Sequence, residues 1–150
     1  LGLTSLTAFL RRRRRVALDT SVFICQLEAN PSYVGLTDRI FARLEQPDRR
    51  AVTPTITMTE LLVQPYRDSQ QQRVDEFHAL LTTYPNLEWI APDLEIADIA
   101  ARIRAAHGLR TPDPLQAATA VQAQATGLVT NDAAFERVEA FETLVLDTPL

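Results

Sequence analysis

Five short apolar runs set the frame of this chain: Val16–Leu18, Ala51–Thr53, Leu87–Ile90, Leu128–Thr130 and Thr143–Leu146. Each has the length of a strand. None alternates strictly between apolar and polar residues, which is how strands buried on both faces read. Helical stretches separate them: Ser21–Glu28 and Tyr33–Leu44, then Thr57–Gln64 and Gln70–Tyr84, then Leu94–His107 and Pro112–Thr126, and a short one at Ala133–Glu139. Strands alternating with helices predict an α/β domain with a mainly parallel sheet. A chain of 150 residues, 46% of them hydrophobic, suits one domain with one sizeable core.

The punctuation agrees with these limits. Asp93 precedes Ile96, Ile99 and Ile103 at helical spacing and reads as an N-cap, and His107-Gly108 ends that helix. Thr111-Pro112 reads as the next N-cap and first-turn proline. The alanines at 117, 118, 120, 123 and 125 let that helix lie close to a sheet, and Gly127 stops it.

Composition excludes several chemistries. All 15 basic residues are Arg, so no Lys is present for a Walker P-loop, a pyridoxal Schiff base or a kinase. Four glycines leave no GxGxxG phosphate cradle, which disfavours a doubly wound nucleotide-binding protein. One Cys and two distant His residues exclude an internal disulfide and a zinc-finger-like cluster. No apolar run approaches the roughly 18 residues of a membrane span. In LGLTSLTAFLRRRRR the arginines follow the apolar stretch, whereas a signal peptide puts them first, so a cytoplasmic protein is expected.

Four acids stand at informative places. Asp19 follows the first strand, Glu60 lies just beyond the second, and Asp132 follows the fourth. In a parallel sheet those strand ends share the carboxyl edge, where ligands of open α/β sheets bind. Asp113 opens a helix whose far end must deliver the chain to the amino edge of the fourth strand, so its first turn lies toward the same carboxyl edge. Each acid alone is explained as a helix start, and Thr57-Met58-Thr59-Glu60 is an acceptable capping box. Capping does not predict all four on one rim. Two like charges about 4 Å apart cost roughly 4 kcal/mol at an effective dielectric of about 20. A hard divalent cation, Mg²⁺ or Mn²⁺, would offset that and support metal-assisted phosphodiester hydrolysis.

At these residues the chain resembles the PIN-domain ribonucleases, and within them the VapC-type toxins of bacterial toxin–antitoxin pairs. The stretches that carry the likeness are VALDTSVFI around Asp19, TITMTELL around Glu60, TPDPLQAATA around Asp113 and LVTNDAAF around Asp132. They come in the family's order and span about Val16 to Leu146. The resemblance implies a three-layer α/β/α fold around a central, mainly parallel sheet of about five strands. A nuclease domain over 16–150 is expected, and 1–15, about which the resemblance says nothing, is read as an N-terminal extension carrying the Arg run. The resemblance also implies Mg²⁺- or Mn²⁺-dependent endonucleolytic cleavage of RNA, with Asp19, Glu60, Asp113 and Asp132 catalytic and holding metal directly or through water. Ser21, Thr130 and Asn131 stand where the family often has small polar residues supporting the site. Similar toxins are homodimers, neutralised by an antitoxin segment that covers the active groove. Two features depart from the pattern: Pro114, where the family more often has Ala, and the fifteen residues ahead of Val16. Other readings are a PIN nuclease acting on DNA or in RNA maturation without an antitoxin, and a catalytically silent PIN-like module that binds nucleic acid or protein.

Further features are read more simply. Arg11–Arg15 is expected to be a solvated, frayed tail rather than a phosphate-binding segment. Arg110 reaches substrate phosphate or is an ordinary surface arginine. Asp98 and Arg102 form a helix surface pair. Phe77, Leu80 and Leu81 are core or dimer surface, and Trp89 and Tyr66 are isolated.

Overall fold

A computed structural model describes residues 1–147. Its sheet has five parallel strands: β1 (Arg15–Leu18), β2 (Arg50–Pro54), β3 (Leu87–Ile90), β4 (Gly127–Thr130) and β5 (Glu142–Val145). They lie side by side in the order β3-β2-β1-β4-β5. The helices are α1 (Leu3–Arg11), α2 (Thr20–Leu27), α3 (Val34–Leu44), α4 (Ile56–Arg67), α5 (Gln71–Thr83), α6 (Leu94–His107) and α7 (Asp113–Gln122). A 3₁₀ turn, Ala133–Arg137, precedes β5.

The register explains why the strands carry no polar alternation. Leu18 pairs with Val129, and both face the core layer formed with α1 to α5. Ala17 pairs with Val52 on one side and Leu128 on the other, and all three face the second layer, with α6 and α7. Both sheet faces are therefore covered, in three layers α/β/α. In α7, Ala117, Ala118 and Ala120 are completely buried, so the helix lies close against the strands. As expected, Asp93 caps α6 by accepting from Ile96 N at 2.8 Å, and Gly108 ends it with φ 69°. Asp98 and Arg102 pair at 2.8 Å. Leu81 is buried, Phe77 half-buried and Leu80 exposed. Trp89 is not isolated: it stacks on Phe23, with ring centroids 6.2 Å apart.

The N-terminal segment corrects the expectation of a frayed tail. Leu6, Phe9 and Leu10 of α1 are buried in the first core layer. The Arg run is partly internal. The Arg13 guanidinium lies 3.9 Å above the Phe9 ring, donates to Phe9 O at 2.9 Å and pairs with Glu142. Arg15 Nη1 donates to Ala123 O at 2.8 Å.

A second correction concerns Gly127. Helix α7 ends at Gln122 and Gln124 turns left-handed, with φ 56°, so the glycine is not its stop signal. Gly127 is the first residue of β4, and a Cβ there would sit 2.5 Å from Phe9 Cζ and 2.6 Å from Arg13 Cδ. Its missing side chain is what lets α1 settle over the sheet. Gly127→Ala should therefore cost about 1–3 kcal/mol by overpacking. A urea midpoint equal to wild type would refute that close contact.

Candidate active site

The strand order reverses at β1: the chain leaves it toward β2 and β3 and returns on its other side as β4. Loops leaving the carboxyl ends of two such neighbours diverge and open a crevice. Asp19 leaves β1 and Asp132 leaves β4, so the two acids flank that crevice.

Asp19 is 7% exposed. Its Oδ2 accepts from Ser21 Oγ and from Thr130 Oγ1, each at 2.8 Å. Burial pushes its carboxyl above the usual range, and these hydroxyls draw it part of the way back. Ser21 Oγ in turn accepts from Asn131 N at 2.9 Å, and Thr130 Oγ1 accepts from Asp132 N at 3.0 Å. The two hydroxyls thus tie the loop after β4 to the carboxylate after β1. Asp132 itself is exposed and caps the 3₁₀ turn by accepting from Ala134 N at 2.9 Å.

Glu60 is not the partner in a capping box. The N-cap of α4 is Thr55, which makes no side-chain cap bond. Glu60 Oε1 accepts instead from Thr20 Oγ1 at 2.7 Å. Behind this bond lies a buried network that the sequence reading missed. Gln116, 2% exposed, donates from Nε2 to Thr20 Oγ1 and to Thr57 Oγ1, both at 2.9 Å. Thr57 and Thr53 hydroxyls meet at 2.8 Å, and Thr53 Oγ1 donates to Leu18 O at 3.0 Å. Buried polar groups persist when each finds a partner, and a satisfied network holds its members in one geometry. The available signal was a long amide among Ala117, Ala118 and Ala120, one helical turn after Asp113.

Asp113 is the first residue of α7 and is half-buried. Burial, then the charges of Asp19, Asp132 and Glu60, push its carboxyl up to about 6. Asp113 therefore feels acids from three other segments of the chain. Among the described residues, no group of three His, Cys, Asp or Glu side chains forms a ready-made metal cage. The donors around the crevice are nonetheless oxygens, and Asn131 adds a buried Oδ1 with no hydrogen-bond partner. Mg²⁺ suits such a set, because it keeps several waters and takes only one or two carboxylates directly. Arg110 is exposed; its carbonyl accepts from Asp113 N at 2.9 Å.

A pH dependence follows. A carboxyl raised from 3.8 to about 6 stabilises the fold while protonated, and that contribution is lost as pH rises from about 4 through about 6. In chelator, wild type should lose melting temperature relative to Asp113→Asn over that window. Parallel curves for the two proteins would remove Asp113 from this cluster.

Residues 16–140 match the PIN domain family, and the chain belongs to that family. The matched region begins after α1. Among solved structures, VapBC-5 from Mycobacterium tuberculosis, a member of the VapBC family of toxin–antitoxin systems, is 26% identical. The alignment covers 88% of this chain and 98% of that one, with a TM-score of 0.57. VapBC-1 from nontypeable Haemophilus influenzae is 21% identical over 89% of this chain and 99% of that one, TM-score 0.67. VapBC2 from Rickettsia felis, bound to a DNA fragment from their promoter, is 16% identical over 87% and 98%, TM-score 0.67. No curated protein matches the sequence. Among the described residues, no helix is long and apolar enough to cross a membrane.

Proposed function

We propose that this protein is a divalent-metal-dependent endoribonuclease of the VapC type, the toxin of a toxin–antitoxin pair acting on RNA in the cytoplasm. The observation that carries the reading is the hydrogen-bonded cluster at the carboxyl ends of β1 and β4, in which Ser21 and Thr130 hold Asp19 and the Gln116–Thr20 pair holds Glu60. The raised carboxyl of Asp113 agrees with it. Membership of the PIN family and the likeness to VapBC structures support it.

In this reading Asp19, Glu60, Asp113 and Asp132 hold Mg²⁺ or Mn²⁺, directly or through water. When bound, the ion would make water more acidic and offset negative charge on the phosphate. Ser21 and Thr130 hold the Asp19 carboxylate in place, and Thr20 does the same for Glu60. One of the carboxylates accepts a hydrogen bond from the attacking water and aligns it with phosphorus. The new P–O bond forms as the old one breaks; the attacking water gives its proton to that carboxylate, and the leaving oxygen takes one from solvent water. Arg110 takes substrate phosphate. Like the VapBC structures, the protein meets an antitoxin, and it forms a homodimer. An apolar groove of 940 Å³ lined by Met58, Leu62, Val63, Tyr66 and Trp89 supplies surface for protein contact.

The test is cleavage of a panel of structured RNAs by the purified chain. With Mg²⁺ or Mn²⁺, defined internal cuts are expected. In EDTA the rate should fall by on the order of 10³, the worth of several kcal/mol of charge stabilisation. Equal cleavage in EDTA, or none of any RNA by folded protein with metal, overturns the proposal.

A further inference from the structure

The fold divides the run Arg11–Arg15. Arg13 and Arg15 are spent on internal contacts, but Arg11, the last residue of α1, goes elsewhere. It lines a 200 Å³ cleft between α1 and α3 with Arg39, Arg43, Thr7 and Gln46. Arg39 and Arg43 stand one helical turn apart on α3, a like-charge spacing that weakens a helix. The negative end of a helix attracts Arg11 and Arg43, each in a last turn, but it does not account for Arg39.

Among the described residues, no carboxylate forms an ion pair with any of these three. Of the acids nearby, Asp48 lies 3.5 Å from Arg49 Nε, and Asp38, which lines the adjoining groove with Arg11 and Arg39, accepts from Gln26 Nε2 at 2.7 Å without pairing with either. Arg43 Nη1 donates to Gln46 Oε1 at 2.8 Å, while its Nε is buried without a partner. Burial and the charges of Arg49, Arg11 and Arg39 all pull Arg43 down from its ordinary value, and only Asp48 opposes them. Three guanidiniums without carboxylate partners around a cleft, one with an orphaned buried donor, make an incomplete site whose missing component is an anion.

We propose that this cleft binds a backbone phosphate of the RNA substrate, remote from the carboxyl edge. Arg11 leads into the start of β1, and Arg43 ends the helix before β2, so the cleft lies toward the amino edge of the sheet. The depth of the sheet, roughly 13 Å for a four-residue strand, separates that edge from the acids. One RNA strand reaching both must cross the helical layer, so the site favours longer substrates. The inference rests on the ribonuclease reading for the identity of the anion.

The test is anisotropy of a fluorescein-labelled oligouridylate in EDTA, titrated over a range of salt. For R11Q/R39Q/R43Q, affinity should fall roughly tenfold. The salt slope should shrink by about 0.7 for each phosphate released. The double variant R11Q/R39Q, with both side chains exposed in wild type, should move the same way without touching the half-buried Arg43. R11K/R39K/R43K, which keeps the charge, should retain most of the slope. Unchanged affinity and slope in both Gln variants overturn the proposal. So does loss of polyglutamate binding with RNA binding intact, which would assign the cleft to an acidic protein. Displacement of inorganic phosphate alone would mean a free anion and also overturns it. Cleavage is scored separately. If wild type cuts RNA but the slope does not change, the cleft fails and the nuclease stands. If the slope changes but no RNA is cut, the nuclease fails and the anion site stands.

Discussion

Asp19→Asn should abolish metal-dependent RNA cleavage, by on the order of 10³ in rate, and leave the fold intact. The carboxylate is the most enclosed of the four acids and the one at which the loops after β1 and β4 are joined. Its replacement keeps an oxygen that can accept from Ser21 and Thr130, so the crevice keeps its shape. It removes the negative charge, which is what a cation needs. Burial already disfavours the charged form of Asp19, so in chelator at neutral pH the variant should melt no lower than wild type. Loss of activity with unchanged or higher melting temperature separates a functional carboxylate from a structural one. Cleavage surviving at equal purity and metal would show that Asp19 has been misassigned.

Leu6→Ala should cost about 3 kcal/mol, within the usual range for a buried leucine whose cavity cannot collapse. For a chain of this size that lowers the melting temperature by roughly 10 °C. Leu6 is completely buried, between Phe9, Leu10 and the layer containing Val16 and Val129. A frayed extension would show no change at all. Calorimetry on the two proteins decides between them, and a shift within error would mean that α1 contributes nothing to the core.

The strands and most helices were legible because their signals are local. β3 and α6 fall on the limits read from apolar runs, the Asp93 cap and Gly108. α7 ends before Thr126 because the chain turns left-handed at Gln124, a residue with no special claim to that conformation. Helix α1 was hidden behind its own arginines. Leu3, Leu6 and Leu10 have helical spacing, but five consecutive charges read as a solvated tail until Arg13 is seen stacked on Phe9. Glu60 illustrates the same limit at the site. Its local pattern is a capping box, yet its hydrogen-bond partner is Thr20, forty positions away in the chain. Gln116 was invisible for the same reason, since both its acceptors lie on other elements.

By itself the sequence settled the class of fold, the place of each strand and the edge on which Asp19, Glu60 and Asp132 had to emerge. Those follow from backbone periodicity and from parallel strands sharing a direction, which need only near neighbours to be read. Tertiary packing alone decided which of the acids are buried, which hydroxyls and amide hold the carboxylates, and which arginines are paired within the chain and which left facing a cleft. Burial and charge interaction depend on separations through space, and those exist only once distant segments have been brought against one another.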